Sequence, residues 1–98
     1  MQVIAKRTLT LFWLKHPKAE VPLRGWYSLA VQSEWSKPAD IKEIFGTSVD
    51  FIADNRVIFD IGGNKFRLIV HVDYAAKRVL VKFIGTYADY DKIDPETV

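Results

Sequence analysis

Val57-Ile58-Phe59-Asp60-Ile61-Gly62-Gly63-Asn64-Lys65-Phe66-Arg67-Leu68-Ile69-Val70-His71-Val72-Asp73 carries an apolar side chain at every second position on both sides of a glycine pair. Side chains i and i+2 of a strand share a face. Val57, Phe59 and Ile61 therefore line one side of a first strand, residues 57–61. Phe66, Leu68, Val70 and Val72 line one side of a second, residues 66–73. Gly62-Gly63 between them supplies the positive-φ residues that a tight hairpin needs.

The pattern extends in both directions. Downstream, residues 74–77 read as a turn. Residues 78–84 read as a last strand with Val79, Val81 and Phe83 inward, and Gly85 ends it. Upstream, residues 50–53 read as a short strand followed by a turn at 54–56. Residues 1–4 read as an edge strand. The first half of the chain is helical by spacing. Leu9, Phe12 and Trp13 define one helix that stops at Lys15, His16 and Pro17. Pro22 opens a second, whose apolar stripe is Leu23, Trp26, Tyr27, Ala30 and Val31. Residues 38–45 form a third, with Ile41, Ile44 and Phe45 inward and Gly46 as its stop. An antiparallel meander with helices on one face is an α+β fold, and residues 1–98 read as a single domain.

Composition narrows the function. The chain has 98 residues, 49% of them apolar, and no cysteine. Disulfides, thiolate metal sites and cysteine nucleophiles are excluded. No apolar run is long enough for a membrane span, and no signal peptide opens the chain. The chain reads as cytoplasmic. The net charge is +2, but residues 89–98 set four acids against Lys92, a local −3, so the rest carries +5. A basic body of that kind attracts polyanions or acidic protein segments.

Strand parity then gathers Asp60, Arg67, His71 and Lys82 on the face away from the helices, beside Ile58, Ile69, Leu80 and Ile84. So much apolar surface calls for a cover or marks a cleft floor. Arg67 is a planar fork suited to phosphate, and Lys82 reads as a second positive charge beside it. An equally simple reading pairs Arg67 with Asp60 across the hairpin. Tyr87 and Tyr90 share a face if that segment is helical, and suit base stacking or proton transfer. His16 and His71 lack zinc-ligand spacing. No phosphate-loop or serine-triad motif occurs. No metal or cofactor is expected.

The stretch 57–70 resembles the signature of the HigB family of toxins, and Gly85-Thr86-Tyr87-Ala88-Asp89-Tyr90-Asp91-Lys92-Ile93 resembles its second signature. Leu9, Phe12, Trp13, His16, Pro17, Trp26 and Trp35 are similar to the family's first half. The family usually carries histidine in place of Tyr87 and asparagine in place of Asp60. The resemblance implies a RelE-like fold and the toxin of a type II toxin–antitoxin system. It also implies an endoribonuclease that cuts mRNA on the ribosome and inhibits translation. Its partner would be a HigA-type antitoxin with a helix-turn-helix domain, through which alone it would reach operator DNA. On this reading Arg67, Lys82, Tyr87 and Tyr90 carry catalysis, and Asn64, Lys65 and His71 hold RNA. The competing reading is a toxin-like protein that binds RNA or antitoxin without cutting.

Overall fold

Phe59 is the residue on which the helical layer assembles. Its ring is fully buried and meets Phe45, Trp26 and Trp35 at centroid distances of 4.8, 5.5 and 6.5 Å. The computed structural model describes residues 1–98. In chain order these are β1 (Gln2–Ile4), α1 (Lys6–Lys15), α2 (Glu20–Gln32), α3 (Pro38–Phe45), β2 (Val49–Ile52), β3 (Arg56–Ile61), β4 (Phe66–Asp73), β5 (Arg78–Thr86) and α4 (Tyr87–Tyr90). Single 3₁₀ turns lie at Pro17–Ala19 and Gly46–Ser48. The five strands are ordered β1-β5-β4-β3-β2. β2 to β5 form the expected antiparallel meander, and β1 joins β5 in parallel as the far edge. The fold is α+β, with a mostly antiparallel sheet. No helix is long and apolar enough to cross a membrane.

One core lies between the helices and the sheet. α1 contributes Leu9 and Trp13, α2 contributes Leu23, Trp26 and Ala30, and α3 contributes Ile41. From the strands come Val57, Phe59, Ile61, Phe66, Leu68, Val70, Val72, Val79 and Val81. Two expected core residues fall outside. Ile44 is 46% exposed and Val31 44% exposed. In α3 the inward slots go to Ile41 and Phe45, one turn apart, which rotates Ile44 toward solvent. Val31 likewise falls one residue past the stripe that ends at Ala30.

The sheet departs from simple alternation once. Ile69 pairs with Phe83 but Val70 pairs with Val81, so Lys82 is an extra residue in β5. A β-bulge inverts parity beyond itself. Ile84 therefore packs on the core, and Phe83 turns to the other face beside Ile69. This reverses the expected Phe83-inward, Ile84-outward assignment. The strand also runs through Gly85 to Thr86, because these residues still pair with Arg67 and Phe66.

The face away from the helices is covered. Ile58 and Ile69 lie there and are only 4% and 0% exposed. The chain after β5 supplies the cover. Thr86 caps α4 by accepting a hydrogen bond from the Asp89 amide at 3.2 Å. The tail then reaches Arg56, whose Nη1 donates to the carbonyls of Pro95 at 3.1 Å and Val98 at 2.7 Å. Arg56 was expected in a turn. It opens β3 instead, because the turn closes within residues 53–55, where Asp54 and Asn55 take φ of 64° and 56°.

Candidate active site

The hairpin between β3 and β4 places the functional groups. Gly62, Gly63 and Asn64 adopt φ of 64°, 61° and 75° in succession. Glycine takes this left-handed region freely, and asparagine is among the few other residues that tolerate it. The turn sets Asp60 directly opposite Arg67 in the ladder. It also swings the Asn64 side chain back over the sheet.

Arg67 is the hub of what results. Its Nε meets Asp60 Oδ1 at 3.0 Å. Its Nη1 donates to the Phe66 carbonyl at 3.2 Å, and its Nη2 donates to Asn64 Oδ1 at 3.3 Å. The guanidinium carbon sits 4.7 Å from the Tyr87 ring centre and 5.9 Å from that of Tyr90. The two rings are 6.4 Å apart and tilted by 50°. α4 is tied to the hairpin through the Tyr87 amide, which donates to the Lys65 carbonyl at 3.1 Å. The Arg67 side chain is 10% exposed and that of Asp60 is 25% exposed.

Four of the expected site residues thus come together: Asn64, Arg67, Tyr87 and Tyr90. Lys65 adjoins them with its side chain in solvent. Two others stand apart. His71 pairs with Arg56 and Leu80. It lies four residues along β4 from Arg67, about 13 Å at ~3.3 Å per residue. Lys82 occupies the bulge, level with Ile69 and Val70, and is no immediate neighbour of Arg67.

The tyrosines also differ from a simple expectation. A nearby cation by itself lowers a tyrosine pKa. At Tyr90 the outcome is a raised pKa. Burial is the main cause, Asp50, Asp60 and Asp91 add to it, and Arg67 opposes them. Tyr90 therefore stays a phenol around neutrality and offers a proton rather than taking one.

In the sequence Asp60 reads only as a partner for Arg67. It also lines an open polar hollow of ≈ 340 Å³ with Thr47, Ser48, Gly63 and Asn64. A second groove of ≈ 360 Å³ adjoins it, lined by Asp60 and Ser48 together with Trp26, Leu29 and Phe45. Thr47 and Ser48 carried no signal, because they lie in a loop far from the hairpin in sequence. Arg56 did carry one: it precedes Ile58 by two and so shares its face.

A family model described as a HigB toxin, the RelE-like toxic component of a toxin–antitoxin system, matches residues 19–93. The chain belongs to the HigB toxin family. The matched span holds every member of the Arg67 cluster. An mRNA interferase HigB of Escherichia coli O6:H1 is 29% identical over 94 residues, covering 95% of this chain and 91% of the relative. The mRNA interferase toxin HigB of Escherichia coli K12 is 23% identical over 92 residues, covering 93% and 88%. An mRNA interferase HigB of Shigella flexneri matches to the same extent. Both the family and the α+β, RelE-like class agree with what the two signatures implied. A HigB toxin works against an antitoxin, so an antitoxin is a partner of this chain.

Proposed function

We propose that this chain is an endoribonuclease that cuts mRNA on the translating ribosome without a metal, and that a HigA-type helix-turn-helix antitoxin restrains it. The observation that carries the reading is the cluster at Arg67, where a cation, two tyrosines and an asparagine converge beside an open polar hollow. The names of the relatives point to the same substrate.

RNA can be cut by its own 2′-hydroxyl attacking the adjacent phosphate. The enzyme has to align that attack, balance charge on the phosphorane and move two protons. Arg67 supplies the positive charge. Asn64 and Lys65 hold the backbone at the hairpin. Tyr87, half exposed, stacks on a base, and Tyr90 donates a proton to the leaving oxygen. Lys82 and His71, farther along the sheet from Arg67, contact the RNA beyond this cluster. Operator DNA is reached only through the antitoxin.

Induced expression is the test. Rapid growth arrest with fragmented mRNA is expected, and Arg67→Ala abolishes it while the fold survives. Cleavage persists in EDTA and leaves 2′,3′-cyclic phosphate ends. A strict magnesium requirement would overturn the mechanism.

A second reading has one observation in its favour. Arg67 is enclosed and already paired with Asp60. In that case the face binds RNA or antitoxin without cutting, and purified wild-type protein leaves ribosome-bound mRNA intact.

A further inference from the structure

The two members of the Asp60–Arg67 pair do not face solvent equally. Arg67 is walled in by the Phe66 carbonyl, Asn64 and the two tyrosine rings, and it lines neither hollow. Asp60 is the more exposed member and lines both. A substrate entering the polar hollow finds the carboxylate in its lining, beside the more exposed Ser48, Thr47 and Asn64. Nε of Arg67 stands 3.0 Å from Oδ1 of Asp60, and the ion pair leaves Oδ2 for another partner.

From this geometry we propose that Asp60 is the proton acceptor of the reaction, taking the proton of the attacking 2′-hydroxyl while Arg67 positions it. The inference rests on the ribonuclease reading above. In the step itself, the 2′-oxygen forms a bond to phosphorus and its proton passes to Asp60 Oδ2. The P–O5′ bond breaks, and the 5′-oxygen takes a proton from the Tyr90 hydroxyl, which regains one from water. Asp60 returns its proton to water. Products are a 2′,3′-cyclic phosphate and a 5′-hydroxyl.

The other groups of the region fit this role less well. His71 is about 13 Å away along the strand. Lys65 is a solvated cation. Asp60 is the carboxylate that forms an ion pair with Arg67. An isolated carboxylate would repel RNA phosphate, and the guanidinium at 3.0 Å offsets that charge locally.

Asp60→Asn separates the possibilities, because asparagine keeps the shape and an oxygen beside Arg67 but loses basicity. Single-turnover cleavage of ribosome-bound mRNA is expected to fall by about 10²–10⁴-fold, with RNA binding and thermal melting close to wild type. The wild-type rate should climb with pH along an acidic limb that the asparagine variant lacks. Asp60→Glu should retain that limb at a reduced rate. If Asp60→Asn does not fold, Asp60→Glu decides the matter alone, and loss of the acidic limb in folded Asp60→Glu would overturn the role. Cleavage by folded Asp60→Asn at or above the wild-type rate would also overturn it, and would mean that the pair only restrains Arg67. If wild-type protein cuts no RNA, the ribonuclease reading itself falls. If it cuts and Asp60→Asn matches it, this inference alone falls.

Discussion

The guanidinium of Arg67 lies 4.7 Å from the centre of the Tyr87 ring, and Tyr87 is still 49% exposed. A ring held by a cation and still half exposed can stack a base. Tyr87→Phe keeps the ring and should bind RNA within about twofold of wild type. Tyr87→Ala removes it. Loss of one base–aromatic stack, ~1–3 kcal/mol, corresponds to roughly 5- to 150-fold weaker binding. The lost cation–π contact should cost a further ~0.5–1 kcal/mol of stability. Filter binding and thermal melts of the two variants check both. Equal loss in Tyr87→Phe would assign the function to the hydroxyl instead.

Tyr90 and Tyr74 both titrate above the ordinary tyrosine value of 10.0, each chiefly through burial. The sign for stability follows. A raised folded-state pKa means that the contribution is fully present below the unfolded value, near pH 10, and is lost as pH rises through the folded one. The protein should therefore lose stability on the alkaline side of that value. Tyr90→Phe and Tyr74→Phe should each remove one late phenolate from an absorbance titration. Arg67 is the influence that lowers the Tyr90 value, so Arg67→Ala should push it higher still. A downward move would show that Arg67 is not near the Tyr90 oxygen in solution.

Much of this architecture was legible because the hairpin states it twice. Alternation fixed β3 and β4, Gly62-Gly63 fixed the turn, and together they set Asp60 opposite Arg67. The boundaries of α3 followed from Pro38 and Gly46, a fixed φ at one end and a left-handed stop at the other. What failed was non-local. The bulge at Lys82 depends on register against β4, and no local pattern in β5 announces it, so Phe83 and Ile84 were exchanged. The cover over Ile58 and Ile69 depends on where the tail lies, although the apolar excess on that face already required one. In the site, parity set Arg67 on one face with Asp60, His71 and Lys82, but the structure brings only Asp60 of these to Arg67. Sharing a face does not bring residues four apart on a strand into contact.

Arg56 should anchor that cover. It is 8% exposed and donates to two tail carbonyls at 3.1 and 2.7 Å. Hydrogen bonds from a charged donor contribute about 1.5–3 kcal/mol, so Arg56→Ala is expected to destabilise the fold by that order. Hydrogen exchange should speed up at the amides of Thr97 and Val98, which donate to the Asp94 carbonyl. RNA cleavage should persist, because Arg56 stands at the end of β3 remote from Asp60. Unchanged exchange in the tail would show that apolar packing alone holds it.

Gly85 tests whether the Arg67 cluster needs its present spacing. The residue pairs with Arg67, and a Cβ there would stand 2.5 Å from Phe83 Cζ and 3.2 Å from Asp89 Cβ. Either the Phe83 ring or the first turn of α4 must move, and α4 carries both tyrosines. Overpacking of this kind costs about 1–3 kcal/mol, so Gly85→Ala should lower the urea midpoint accordingly. It should also reduce cleavage by displacing Tyr87 and Tyr90 from the guanidinium. Phe83→Leu in the same chain shortens the offending ring and should restore part of both losses. That non-additivity is the decisive measurement, since two independent sites would simply sum. A Gly85→Ala protein with wild-type stability and activity would mean that α4 does not rest where Gly85 allows it to.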